Sequence, residues 1–335
     1  MQYRDFRGEV WTNVHPDVMN AIVNVNDEIV DGNNGKDKHS INATMLIQKY
    51  FKNPIYTTYT INGTAANVIA LKAMVDRWST ILCAEQAHVN TYECGATEHM
   101  LGNKILSIKS DDGKLSPKLI EELLNSQKKY NYHPKVVVLT QPTEFGTIYT
   151  IEELKAICDY AHKRDMYVYI DGARLANAVV ALNTDLTQMI EYPDVDAFSF
   201  GGTKAGALFG EMVIFRRKEF ARALEYSQKQ SLQHLDKSKF LGVQIEYLLE
   251  SGLWLENAKK SNDTAKILEK KLLEKGVQTY YKVQTNMVFA ILTPEQLNKI
   301  TKVFDLHYWN DNNVVRIATT YLTTIEKIDE LISLI

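Results

Sequence analysis

Lys204 stands in the glycine-rich run Ser-Phe-Gly-Gly-Thr-Lys-Ala-Gly (199–206), and Asp171 in Tyr-Ile-Asp-Gly-Ala-Arg (169–174). Each follows a short apolar run, Ala197 to Phe200 and Met166 to Ile170. A lysine amine can form a Schiff base with an aldehyde. A carboxylate set against a pyridine nitrogen keeps that nitrogen protonated, because an anion favours the charged form of its neighbour. These are the two groups that a pyridoxal phosphate site needs: an anchor for the aldehyde carbon, and a counter-charge that lets the ring accept electrons. The glycines around Lys204 let a cofactor approach the backbone closely.

Other residues extend this chemistry. Thr60 to Ala66 reads Thr-Ile-Asn-Gly-Thr-Ala-Ala and opens a helical pattern. Free amides at a helix start, at the positive end of its dipole, suit a phosphate. Gly63 and Thr64 would present them, although a threonine N-cap explains the same letters. His88 and Glu93 lie in Glu-Gln-Ala-His-Val-Asn-Thr-Tyr-Glu (85–93). An imidazole at a strand end can stack on a cofactor ring and can move protons. Arg174 can fork onto a substrate carboxylate or reach the ring oxygen. Gln141 follows the valine-rich run 135–140, at the end where ligand groups collect. Arg316, in Val-Val-Arg-Ile-Ala (314–318), is alone among apolar residues. It is either a carboxylate ligand or an edge-strand arginine with a buried stem.

The elements that must position these groups alternate. A helix is expected over 65–77, strands near 80–84 and 135–140, and a helix over 151–163 with a Thr150–Glu153 capping box. Strands near 166–170, 195–200 and 210–215 follow. This rhythm predicts an α/β fold with a mostly parallel sheet covered by helices. Charged helices fill roughly 217–276, and a small α+β lobe closes the chain. With 335 residues, the chain exceeds the roughly 250–300 at which a single core stops growing. The reading divides it into a large cofactor-binding domain over 1–250 and a small C-terminal domain over 251–335.

Composition narrows the function. A net charge of −3 offers no footprint for nucleic acid or membrane. The opening Met-Gln-Tyr-Arg-Asp-Phe-Arg is polar, and no apolar run reaches the length of a membrane span. Cys83, Cys94 and Cys158 lack metal spacing and form an odd set, so a reducing, cytoplasmic setting without a metal site is expected.

The stretches around 60–75, 85–97, 140–182 and 197–215 resemble the L-threonine aldolase and phenylserine aldolase family, β-eliminating lyases of the aspartate-aminotransferase-like type I fold. Asp-Gly-Ala-Arg-Leu and Ser-Phe-Gly-Gly-Thr-Lys carry the resemblance. Thr-Gln-Pro-Thr-Glu-Phe-Gly-Thr (140–147) is similar to the phenylserine-type branch, with Thr-Glu in place of Thr-His. The resemblance implies pyridoxal 5'-phosphate held on Lys204, with Asp171 at the ring nitrogen and His88 stacked on the ring. Gly63 and Thr64 would cradle the phosphate, with Gln141 also on the cofactor side. Arg174 and Arg316 would clamp the substrate carboxylate, with Glu144 and Asn34 on the substrate side. Lys237 and Lys239 fall where the family has basic residues near a subunit boundary, so a homodimer or homotetramer is expected.

Two departures fall on the substrate side. Phe-Arg-Gly-Glu-Val (6–10) lacks the family's serine. Asn34 replaces a tyrosine, which would open room for bulkier substrates than threonine. The implied reaction is cleavage of a β-hydroxy-α-amino acid to glycine and an aldehyde, with His88 or a water beside it as base. A different pyridoxal phosphate lyase, a racemase, or a cofactor-binding homologue without catalysis are the alternatives.

Overall fold

The computed structural model describes residues 5–29, 32–310 and 313–335. Seven strands form the main sheet: β1 (Tyr56–Thr60), β2 (Ser79–Ala84), β3 (Lys104–Ile108), β4 (His133–Thr140), β5 (Tyr167–Asp171), β6 (Ala197–Gly201) and β7 (Glu211–Phe215). Their order is β1-β7-β6-β5-β4-β2-β3. From β3 to β6 every pairing is parallel, whereas β7 runs against both β6 and β1. Val136 to Leu139, Val168 to Ile170 and Ala197 to Phe200 are buried. Continuous burial of this kind belongs to strands covered by helices on both faces.

The expected elements form within a residue or two of their expected bounds for most strands. The helix over Ile151–His162 carries the full Thr150–Glu153 capping box. The helix over Gly63–Met74 is capped by Asn62, whose side chain accepts from the Ala65 amide. The threonine cap reading therefore fails, and Gly63 and Thr64 occupy the first helical turn. Two strands of the main sheet lay outside the sequence reading, β1 and β3. Both are edge strands, and neither Tyr-Thr-Thr-Tyr-Thr nor Lys-Ile-Leu-Ser-Ile is a continuous apolar run.

A second, antiparallel sheet has the order β8 (Met287–Ile291), β10 (Val314–Ala318), β9 (His307–Asn310). Its core joins Leu268 and Leu272 of the long helix Leu253–Glu274 to Val288, Ile317, Ile328 and Leu331. Phe6, from the other end of the chain, is buried in this second core. The Ala318 amide donates to the Phe6 carbonyl at 2.8 Å, which draws the N-terminal segment across the molecule.

The ends of β5 and β6 are locked together by contact between their following loops. A Cβ on Gly172 would lie 2.0 Å from the Ser199 carbonyl oxygen, and one on Gly201 would lie 2.5 Å from that of Ala173. The Gly172 amide donates to Ser199 Oγ at 2.9 Å. This backbone approach seats Asp171 and Lys204 at the rim of a common cavity. Gly172→Ala should therefore lower the unfolding free energy by about 1–3 kcal/mol or more. Urea denaturation checks this, and an unchanged midpoint would mean that the two loops separate freely.

Candidate active site

Asp171 ends β5 and is buried. Its Oδ1 accepts from the Ala173 amide at 3.0 Å, and its Oδ2 accepts from Asn67 Nδ2 at 3.0 Å. No cation pairs with it among the described residues. Asn67 also donates to Glu93 Oε1 at 2.7 Å and accepts from the Tyr169 hydroxyl at 2.9 Å. Glu93 Oε1 lies 2.8 Å from His88 Nδ1. A hydrogen-bonded line therefore runs from His88 through Glu93 and Asn67 to Asp171. Burial, and next the Asp171 charge, raise the Glu93 carboxyl, while its hydrogen bonds to His88 and Asn67 pull it back.

Lys204 lies in the turn after β6 and makes no hydrogen bond or ion pair among the described residues. Burial, then the charge of Arg174, pull its ammonium below the usual lysine range, while Glu9, Asp171 and Glu211 pull it back up. Asp171, Lys204, His88, Gly63, Thr64 and Glu144 line a cavity of about 230 Å³. Nothing stands within 4 Å of where a Gly63 Cβ would be, so the helix start is open on that side.

These residues fit pyridoxal phosphate. A buried carboxylate without a cation, a half-buried amine without a partner among the described residues and an open helix start converge on one cavity. A buried anion with hydrogen bonds but no countercharge is costly, and a protonated ring nitrogen would relieve it.

Glu144 is a second unpaired acid. Its Oε1 accepts from the His88 amide at 2.7 Å, while its Oε2 is buried without a partner. Burial and then the Asp171 charge push this carboxyl up to about 7.

The structure redistributes other expected roles. Arg174 lines the cavity but is taken by Glu9: Nε donates to Oε1 at 2.8 Å and Nη2 to Oε2 at 3.0 Å. Asn286 Nδ2 adds a bond to Glu9 Oε1 at 2.6 Å. Burial alone would raise Glu9, but the charge and hydrogen bonds of Arg174, helped by Lys204, hold it at about 2. Arg174 is thus committed to Glu9, and Arg316 is not among the residues that line the cavity. Arg316 Nη2 donates to the Arg7 carbonyl at 2.9 Å, and its Nε is buried without a partner. Gly8, at φ 148°, bends the chain beside it in a conformation that side chains rarely adopt. The Arg7 carbonyl orients Arg316 there.

Gln141 is not on the cavity wall. Its side chain donates to the Tyr149 carbonyl and accepts from the Tyr149 amide, both at 2.9 Å, and so braces the loop that carries Glu144. Asn34 is also elsewhere, paired with Leu235 in both directions and lining a separate surface hollow. Within one chain it opens no room for substrate. Lys239 Nζ donates to the carbonyls of Val25, in the last turn of the helix Pro16–Asn26, and of Glu28, just past its end. Lys237 is exposed.

Three site residues went unrecognised in the sequence: Glu9, Asn67 and Glu211. Asn67 had a signal, as a lone amide between apolar residues of a helix. Glu211 opens the apolar run Glu-Met-Val-Ile-Phe. Glu9 had none, because its partner lies 165 positions away.

Comparison with known proteins bears on the family and the fold. The model of the β-eliminating lyase family matches residues 5–294. A low specificity L-threonine aldolase from a Pseudomonas species is 34% identical over 269 residues, covering 79% of this chain and 78% of that one. The solved threonine aldolase of Leishmania major superposes with a TM-score of 0.93 at 28% identity, over 99% of this chain and 98% of that one. Aspartate aminotransferase from Thermus thermophilus, at 14% identity, shares the fold with a TM-score of 0.73 over 99% of this chain and 91% of that one.

The Glu9–Arg174 pair makes a prediction about acid stability. Glu9 is held at about 2 in the folded chain, against an ordinary 4.5. A depressed carboxyl stabilises the fold above its unfolded pKa, and that stability is lost as pH falls through the folded value. About 3 kcal/mol should therefore disappear between roughly pH 4.5 and 2. Glu9→Gln should flatten this part of the profile in urea titrations at stepped pH.

Proposed function

Because the chain belongs to the β-eliminating lyase family, we propose that it is a pyridoxal phosphate-dependent aldolase, cleaving β-hydroxy-α-amino acids of the threonine type to glycine and an aldehyde. The carrying observation is the convergence of unpaired Lys204 and uncompensated Asp171 on one cavity. Bound there, pyridoxal phosphate supplies a sink for the electron pair left on the substrate's α carbon when the Cα–Cβ bond breaks. Asp171 would keep a proton on the cofactor's ring nitrogen, Gly63 and Thr64 would offer their amides to its phosphate, and Lys204 would anchor it.

The substrate carboxylate falls to Arg316, since Arg174 is committed to Glu9. His88 is tethered through Nδ1 to Glu93, which leaves Nε2 to take the β-hydroxyl proton. Glu144 offers its unpaired Oε2 to the same hydroxyl. A carboxyl poised near neutral pH exchanges protons efficiently under working conditions.

A second copy of the chain completes the site in this reading. Val10, Ile61 and Phe209 line the cavity yet are 59%, 40% and 37% exposed. A partner subunit over this apolar rim would exclude water, so a homodimer or homotetramer is proposed. No helix among the described residues is long and apolar enough to cross a membrane. The free thiols of Cys83, Cys94 and Cys158 suit a cytoplasmic setting.

Borohydride treatment of the holoenzyme should fix the cofactor on Lys204, read by peptide mass. A phosphopyridoxyl group on another lysine would overturn the assignment. Asp171→Ala should lower kcat at least ~100-fold, the scale of a lost electrostatic group. Arg316→Ala should weaken glycine binding by about 2–5 kcal/mol while the absorbance of bound cofactor persists. Loss of the cofactor from this variant would give Arg316 a different role. Glycine and aldehyde release from threonine and phenylserine tests the reaction itself.

A further inference from the structure

Glu144 and Phe145 are the central residues of a β-turn that runs from Thr143 to Gly146. The Gly146 amide closes it on the Thr143 carbonyl at 2.9 Å. Inside the turn, the Phe145 amide donates to Thr143 Oγ1 at 3.2 Å. The central side chains face different bodies. Glu144 lines the cavity, with its Oε2 buried and unpartnered. Phe145 is off the cavity wall and buried on the other side of the turn. Its ring stacks on Tyr281 at a centroid distance of 4.3 Å and meets Trp309 edge-on at 5.7 Å. Phe289 closes this socket, with its ring centroid 5.0 Å from those of both Tyr281 and Trp309.

The socket belongs to the second sheet. Phe289 of β8 pairs with Arg316 of β10, and Met287 with Ala318. Side chains directly opposite in a ladder share a face, so Arg316 stands on the face that carries the socket. Val288, Val315 and Ile317 point the other way, into the second core. Hydrogen bonds fasten the rest of the turn to the segment leading into β8. Thr285 Oγ1 donates to the Gly146 carbonyl at 2.9 Å, and the Ile148 amide donates to Gln284 Oε1 at 3.2 Å. A Cβ on Gly146, at φ 76°, would lie 3.0 Å from that of Met287, so the turn has no room to settle closer. On the cavity side, Glu144 itself is held at Oε1, by the His88 amide.

Glu144 is the proton partner of the β-hydroxyl in the proposed function, and on that reading we propose that Phe145 is a positioning residue: its seat among Tyr281, Phe289 and Trp309 fixes where Glu144 Oε2 stands in the cavity. A carboxylate tied at one oxygen can swing about that bond unless its backbone is held. A ring packed between rings resists such motion, because close-packed interiors transmit displacement instead of absorbing it. The seat also ties the turn to the sheet face that carries Arg316. The acid and the arginine then keep their spacing through one rigid surface.

The test is a double-mutant cycle on the holoenzyme. Aldehyde release from phenylserine and from threonine is measured for Phe145→Ala, Glu144→Gln and the double variant. Glycine binding is read from the absorbance of bound cofactor. Glu144→Gln should lower kcat about 100-fold, the scale of a lost proton-transfer group. Phe145→Ala should lower kcat about 10-fold or more, since small misplacements of a reacting group are costly. Its glycine affinity should be retained, because glycine has no β-hydroxyl for Glu144 to meet. The double variant should be no slower than Glu144→Gln alone, as residues acting through one group are not additive. Tyr281→Leu removes one wall of the socket at a half-buried position and should give the same pattern with a smaller loss. It carries the cycle if Phe145→Ala does not fold. Losses that multiply in the double variant, or wild-type kcat in a folded socket variant, overturn the positioning role. Wild-type kcat in Glu144→Gln overturns instead the reading of Glu144 on which that role rests.

Discussion

The negative charge of Asp171 is the interaction around which this site is arranged. It sits at the end of a buried parallel strand, held by one amide and one side-chain donor, and no cation pairs with it among the described residues. In a low-dielectric interior such a charge acts strongly on its neighbours. Its field contributes to the raised carboxyls of Glu93, Glu144 and Glu211 and supports the ammonium of Lys204. The site therefore contains several acids but favours only one uncompensated anion. A cationic ring nitrogen is the natural complement to that arrangement.

Glu9 follows the same logic in a different way. It is also buried, but its charge is matched by a two-pronged bond from Arg174. A matched buried pair is weak evidence for net stability, because desolvation offsets much of the attraction. Its structural consequence is clearer. The N-terminal segment is tied to the end of β5 by Glu9, to the second core by Phe6 and to Arg316 by the Arg7 carbonyl. One short stretch thus joins the parallel sheet, the antiparallel sheet and the Arg316 side chain.

Gly8 shows how a sequence departure can be absorbed. A missing serine reads as a lost substrate contact. In the fold, the glycine takes a backbone conformation closed to most side chains, and the neighbouring carbonyl meets Arg316. The Arg7 carbonyl gives Arg316 a backbone acceptor there.

Lys204 and Asp171 were legible from sequence because each ends an apolar run beside glycines, and parallel sheets collect ligand groups at those ends. The α/β alternation, the capping box at Thr150 and the open helix start at Gly63 were legible for similar local reasons. What only the tertiary structure decided were the partners. Arg174 looked free until Glu9 reached it from the far end of the chain. Gln141 looked like a ligand until both ends of its amide met Tyr149, and Asn34 until its bonds to Leu235 placed it in another hollow. Asn67 and Glu211 gained meaning only when the sheet set them beside Asp171 and Lys204. Residue type and strand position are properties of neighbouring letters. Pairing, burial and the resulting protonation depend on distances that folding alone sets.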